Sequence, residues 1–135
     1  MGLGPSMTLK GKRIVILGGT SGLGFATAEA AAREGASVVI ALGKKERVSR
    51  ALSALPKGSD GHVVDVTNED QVSGFFDRVG DFDHLVYTAG DPLLLGEFST
   101  TSIADARRAF DVRFWGALTA AIMARPISGR EVRSY

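Results

Sequence analysis

The residues best suited to chemistry lie in the run Ile-Val-Ile-Leu-Gly-Gly-Thr-Ser-Gly-Leu-Gly from Ile14 to Gly24. Gly18, Gly22 and Gly24 are spaced four and then two residues apart, which suits a turn that lies flat against a phosphate. Gly18 permits a tight turn directly off a strand. Gly22 lets backbone approach a diphosphate without an intervening Cβ, and Gly24 lets a helix pack close to a sheet. The N-terminus of that helix adds unpaired N–H groups and a partial positive charge. A glycine-rich turn without a ligand can show the same spacing. Here the turn follows an apolar run and precedes an alanine-rich one, the context that phosphate binding requires. No Gly-Lys-Ser/Thr follows, so this is not a Walker-type loop.

Composition narrows the remaining chemistry. There is no cysteine, so disulfides and thiolate metal sites are excluded. His62 and His84 are the only histidines and stand apart, so they read as surface or packing residues and no metal is expected. The formal charge of +1 makes no electrostatic case for nucleic acid or a membrane surface. No apolar run approaches the ~20 residues needed to cross a bilayer. The first residues, Met-Gly-Leu-Gly-Pro-Ser, lack the basic-then-apolar layout of a secretory signal. Residues 1–9 read as a flexible segment or a cloning scar, and a cytoplasmic protein is expected. A chain of 135 residues with 44% apolar and 23% charged content suits one compact domain, placed at residues 10–124.

The elements that must position the glycine turn follow from pattern. Arg13–Leu17 is a short apolar, β-branched run, as in a strand covered on both faces. Gly22–Glu34 predicts a helix ended by Gly35. Ser37–Leu42 predicts a second strand. Lys44–Leu55 carries Val48, Ala51, Leu52 and Leu55 on one helical face. His62–Val66 predicts a third strand, and Thr67 an N-cap with Asp70 in a capping-box position. Val72, Phe75, Phe76 and Val79 repeat the helical period up to Gly80. His84–Thr88 predicts a fourth strand, followed by an irregular stretch from Leu93 to Thr101. Ser102 with Asp105 caps a final helix running to about Ala124, and residues 125–135 form an irregular tail. The order β-α-β-α-β-α-β-α implies an α/β fold: a parallel sheet with helices on both faces, strand order 3-2-1-4.

At these residues the chain resembles the short-chain dehydrogenase/reductase family, whose fold is a Rossmann-like doubly wound parallel sheet in three αβα layers. The glycine turn looks like the family's Thr-Gly-x-x-x-Gly-x-Gly, with Leu17 in place of the Thr. Asp65-Val66 looks like the Asp-hydrophobic pair that the family places against the adenine ring. Tyr87-Thr88-Ala89-Gly90 resembles Asn-Asn-Ala-Gly, matching at Ala89 and Gly90. The segment Phe110 to Gly116 is similar to the family's Val-Asn-x-x-Gly, with Arg113 at the Asn. The resemblance implies a nicotinamide dinucleotide held by Gly18, Thr20, Ser21, Gly22, Leu23, Gly24, Leu42, Gly43, Lys44, Asp65, Val66, Ala89 and Gly90.

NAD-preferring relatives carry an acidic residue after the second strand to bond the ribose 2′-hydroxyl. Here the chain reads Ala41-Leu42-Gly43-Lys44-Lys45, with no carboxylate to repel a 2′-phosphate, so NADP is expected ahead of NAD. The alternative is that both lysines are solvated charges at a helix start.

The resemblance further implies hydride transfer between the cofactor and a carbonyl or alcohol, using a Tyr, a Lys four residues on, and a Ser. A phenol of pKa ~10 must be lowered to exchange a proton, and a nearby ammonium does that. Tyr87 is followed four residues on by Asp91, and Tyr135 is the last residue, so neither begins that motif and no catalytic residue is assigned. The chain is expected to be the N-terminal, cofactor-binding half of a longer enzyme, inactive alone. A homo-oligomer is expected, because a missing second half would uncover a strand edge and the apolar residues near Phe110, Phe114 and Trp115. The alternative function is a non-catalytic NAD(P)-binding sensor or interaction module.

Overall fold

The computed structural model describes residues 8–18, 22–90 and 96–124. Four strands, β1 (Arg13–Leu17), β2 (Ser37–Leu42), β3 (Asp60–Val63) and β4 (His84–Tyr87), form one parallel sheet in the order β3-β2-β1-β4. The helices are α1 (Gly22–Arg33), α2 (Lys45–Ala54), α3 (Glu69–Val79), α4 (Ile103–Phe110) and α5 (Ala117–Met123). The expected sheet order is observed, and so is the expected alternation through β4; the single helix expected after it is two, α4 and α5.

The continuous apolar run of β1 is explained by burial on both faces. Ile14, Ile16, Val38 and Ile40 face α1 and α2, where they pack with Ala28, Ala31, Ala51 and Leu55. Val15, Leu17, Val39 and Ala41 face α3 and α5, with Val72, Phe75, Phe76 and Ala120. Side chains alternate between faces with the period of two that a strand imposes. Phe75 and Phe76 are fully buried, and each such side chain contributes on the order of 2 kcal/mol through burial.

Several boundaries differ from expectation. β3 begins at Asp60, two residues before the predicted start at His62, and ends at Val63, with Asp60 beside Val39 and Val63 beside Leu42. Gly61 is the reason an apolar start is unnecessary: the side chains of Leu52 and Val48 fill the space a Cβ there would need, both 2.7 Å from it. Thr67 is not the cap of α3. Asn68 is, accepting from the Gln71 N–H at 3.0 Å. Thr67 is instead taken up by Asp65, whose Oδ1 accepts from the Thr67 N–H at 2.9 Å and its hydroxyl at 2.6 Å.

Ser102 does cap α4, accepting from the Asp105 N–H at 3.0 Å. The helical path to Ala124 is interrupted, however, by a π-helical turn over Asp111–Gly116. Within the stretch expected to be irregular, Phe98–Thr100 form a 3-10 turn; residues 91–95 lie outside the described residues, as do the tail 125–135 and most of the N-terminal segment.

Among the described residues, β4 pairs with β1 alone in the sheet, and all of its residues are only half-buried. Beside it, Leu9, Ile14, Leu23, Ala26, Ala30 and Val86 line an apolar groove of about 590 Å³. On the other side of the sheet, Phe114 and Trp115 stack edge to face at 5.0 Å and are 52% and 57% exposed.

Candidate functional site

Parallel strands bring all four C-terminal ends to one edge of the sheet, where ligands of open α/β folds bind. Each ladder there runs one residue past its strand. Gly18 N–H donates to Ala41 O at 2.8 Å, Thr88 N–H to Leu17 O at 2.8 Å, and Val64 N–H to Leu42 O at 3.1 Å. The chain segments leaving β1, β2, β3 and β4 are therefore held in register as they enter the site.

The glycine turn is specified by contact. Gly18 has φ +98°, and a Cβ on it would stand 2.5 Å from Ala89 N and 2.7 Å from Thr88 Oγ1. A Cβ on Gly24 would overlap the Gly18 carbonyl oxygen and stand 2.5 Å from Thr88 Oγ1. Gly24 thus packs against the turn and Thr88, a more local contact than the helix-to-sheet approach expected. Gly22 is different: with φ +58° it has nothing among the described residues within 4 Å of where a Cβ would be.

The start of α1 adds charge logic. α2, α3 and α4 each carry an acidic residue in the first turn, which answers the helix dipole from within the chain. α1 carries none, and neither does α5, which continues directly from the π-helical turn. Thr20 and Ser21 lie outside the described residues. The Leu23 side chain is 82% exposed and lines the α1–β4 groove, so any part it plays in the turn is through its backbone.

A cleft of about 400 Å³ opens beside the turn. Leu42, Gly43, Lys44, Asp65, Val66, Ala89 and Gly90, all singled out from the sequence, line it together. It abuts the turn through Ala89, the residue against which Gly18 packs. Lys45 is not among the lining residues, whereas Arg47, Val64 and Val112 are. Arg47 was missed because it sits one helical turn beyond Lys44, inside a segment that reads as a solvated helix face. Asp65 is fixed at the cleft by its bonds to Thr67 and by its own N–H, which donates to Gln71 Oε1 at 3.0 Å.

Two further residues have roles that sequence reasoning did not find. Thr88 Oγ1 donates toward Gly18 O at 3.2 Å and Leu17 O at 3.4 Å, tying β4 to the turn with a hydroxyl where the family motif has an asparagine. Tyr87 donates its hydroxyl to Val112 O at 2.5 Å, reaching the π-helical turn. Gly116 makes room for it, since a Cβ there would overlap the Tyr87 hydroxyl. The signal available in the sequence was the pairing of a bulky Tyr87 with Gly116 across the fold. The Cβ-free backbone at Gly22, the acid-free helix start and the adjoining cleft together fit a phosphate-bearing dinucleotide.

The family model for short chain dehydrogenases matches residues 12–130. The chain belongs to the short-chain dehydrogenase/reductase family. It is 33% identical over 128 residues to the short-chain dehydrogenase/reductase fsr5 of Gibberella fujikuroi, a match covering 84% of this chain and 48% of that protein. Among solved structures, a short chain dehydrogenase/reductase family protein superposes with a TM-score of 0.81 at 29% identity, over 87% of this chain and 50% of the other. A 2-keto-3-deoxy-D-gluconate dehydrogenase from Streptococcus agalactiae superposes with a TM-score of 0.74 at 33% identity, over 87% and 46%. The chain therefore spans about half the length of the relatives it matches. Membership makes it a protein of an oxidoreductase family whose Rossmann-like sheet generally binds NAD or NADP.

Proposed function

We propose that this chain is the cofactor-holding part of an NAD(P)-dependent oxidoreductase that moves hydride between NADP(H) and a carbonyl or alcohol. The observation carrying the reading is the Cβ-free backbone of Gly22 at an acid-free helix N-terminus, next to the cleft that gathers Lys44, Asp65, Ala89 and Gly90. In this reading Gly18, Thr20, Ser21, Gly22, Leu23 and Gly24 hold the diphosphate. Asp65 and Val66 take the adenine, and Leu42, Gly43, Ala89 and Gly90 wall the adenosine side. When bound, the dinucleotide supplies the hydride; the chain's own residues bind and orient it.

NADP is the preferred form. Lys44 now has Arg47 as a second cation on the same wall, and charge-assisted bonds to a phosphate are the strong kind. Titration of the chain with NADPH and NADH, followed by nicotinamide fluorescence, tests this. NADPH should bind at least about tenfold tighter, a difference of about 1.4 kcal/mol. The double substitution of Lys44 and Arg47 by Ala should bring the two together. Binding of neither cofactor overturns the reading, and tighter NADH binding overturns the preference.

No catalytic residue is assigned in the chain. The Tyr87 hydroxyl is engaged with the Val112 carbonyl, which supports a structural part for that tyrosine. A complete enzyme then needs a Tyr, Lys and Ser supplied from further sequence, and the chain by itself should bind cofactor without turnover. The same engagement favours a second reading, a non-catalytic NAD(P)-binding sensor or interaction module. Appending the remaining half of a relative's sequence separates them: restored carbonyl reduction supports the enzyme. We further infer a homo-oligomer, located in the cytoplasm, that meets its partner through the exposed Phe110, Phe114 and Trp115.

A further inference from the structure

We propose that Gln71 is a positioning residue for the base of the dinucleotide. From the first turn of α3 it holds Asp65 at the cleft, and through Asp65 it sets the preference for a base that carries an amino group. The proposal rests on the cleft being the dinucleotide site.

Its basis is a capping arrangement that overshoots its helix. Asn68 caps α3 and accepts from the Gln71 N–H at 3.0 Å. In the reciprocal form of such a cap, the side chain three residues into the helix returns to the N–H of the cap residue. Here the Asn68 N–H is already donated to Asp65 O at 3.1 Å. The Gln71 side chain instead passes the cap residue, and its Oε1 accepts from the Asp65 N–H at 3.0 Å. A helix start needs no bond to that residue. Asp65 lines the cleft, so the longer reach serves the cleft and not the helix.

The other bonds of Asp65 stay within its own turn. Its carbonyl takes the Asn68 N–H, and its Oδ1 takes the Thr67 N–H and hydroxyl at 2.9 Å and 2.6 Å. These bonds join residues 65 to 68 and move with them. Two anchors tie the turn to the body of the fold. Before it, the Val64 N–H donates to Leu42 O, extending the sheet. After it, Gln71 belongs to a helix whose Val72, Phe75 and Phe76 are buried in the core. The bond from Asp65 to Gln71 closes the turn between those anchors. Among the described residues none bonds to Asp65 Oδ2, which leaves that oxygen for a ligand in the cleft. An ionised carboxylate only accepts, so it favours a base edge that donates, the amino group of adenine over a ring carbonyl. Asp65 and Gln71 are both exposed. Water therefore satisfies the Asp65 N–H when Gln71 is replaced, the fold survives, and what is lost is the placement of the carboxylate.

The test uses the whole chain as wild type, Gln71→Leu and Gln71→Glu. Leu fills similar space without an acceptor, Glu keeps one, and neither removes the backbone N–H that Asn68 caps. NADPH and its deamino analogue, which has a carbonyl where adenine has its amino group, are titrated by nicotinamide fluorescence. Exchange of the Asp65 amide is followed by NMR. Wild type should bind NADPH at least about fivefold tighter than the analogue. Gln71→Leu should bring the two within about twofold by weakening NADPH alone, with faster exchange at Asp65, and Gln71→Glu should keep most of the preference. Equal weakening of both ligands by Gln71→Leu would mark a merely structural part and overturn the proposal, as would affinities that the substitution leaves unchanged. A wild type that binds both ligands equally also overturns it, while leaving the dinucleotide reading in place. A chain that binds neither ligand sinks that reading and this proposal together.

Discussion

Substituting Gly24 and Gly22 by Ala, one at a time, separates packing from ligand approach within a single turn. At Gly24 the new methyl would overlap the Gly18 carbonyl oxygen, stand 2.8 Å from the Gly18 carbonyl carbon and press on Thr88 Oγ1 at 2.5 Å. Backbone cannot rotate away as a flexible side chain can, so β1's exit and α1 must move apart. Overpacking of this kind costs about 1–3 kcal/mol. Displacing Thr88 also removes its bonds to Leu17 O and Gly18 O, worth about 1 kcal/mol net. Gly24→Ala should therefore lose about 3 kcal/mol in urea unfolding followed by far-ultraviolet circular dichroism. At Gly22 the methyl meets nothing within 4 Å among the described residues, which leaves the penalty of φ +58°. That left-handed conformation costs about 1–2 kcal/mol for an L-residue, offset by about 0.4–1 kcal/mol from a stiffer unfolded chain. Gly22→Ala should thus change stability by about 1 kcal/mol or less. It should nonetheless weaken NADPH at least about tenfold, since the methyl occupies the space through which a diphosphate approaches. The reasoning is refuted if Gly24→Ala is as stable as wild type, or if Gly22→Ala binds NADPH with unchanged affinity.

Other outcomes follow from single contacts. Tyr87→Phe removes the donor to Val112 O and should cost about 1–2 kcal/mol, with amide exchange rising at residues 112–117 ahead of the sheet; unchanged protection there would deny the π-helical turn its support. Partial burial acts to raise the Asp60 carboxyl, but the bonds from His62 and the Gly61 N–H prevail and hold it below the usual carboxylate range. A depressed native pKa means stability present above the unfolded value of ~3.9 and lost as pH falls through the native one. Because the Asp60–His62 pair, at 2.9 Å, is largely exposed on the Asp side, Asp60→Asn should remove under about 1 kcal/mol, and only above about pH 4; a loss that persists at pH 2 would assign the effect to something else. Sedimentation velocity should find wild type self-associated and Phe114→Glu shifted toward monomer, since Phe114 and Trp115 expose a stacked aromatic pair. A sharp wild-type monomer boundary would reject that surface as an interface.

The sheet was legible because its signals are local. β1 and β2 are unbroken β-branched runs, α3 repeats its apolar residues at helical spacing, and Gly35 and Gly80, at φ +89° and +71°, end helices as read. Boundaries set by pairing were not. β3 starts at Asp60 and Gly61 because Val39 and Ile40 lie beside them and Leu52 and Val48 cover the glycine, facts that no window around residue 60 contains. The cap of α3 passed from Thr67 to Asn68 because Asp65, two residues upstream, binds the threonine first.

By itself the sequence determined the order of strands and helices through β4, the glycine turn and the residues at the strand ends, since these depend on spacing, backbone freedom and apolar period along a few residues. Tertiary structure alone decided which of them meet. It joined Leu42, Lys44, Asp65 and Gly90 into one cleft and brought in Arg47, which helical pitch rotates onto the wall that Lys45 leaves. It gave Thr88 the bracing of Gly18, made Tyr87 the clasp on Val112, and laid Arg113 across Gly90. The physical reason is sequence separation: each of these contacts joins residues many positions apart, and only the stacking of parallel strands brings their ends to one edge.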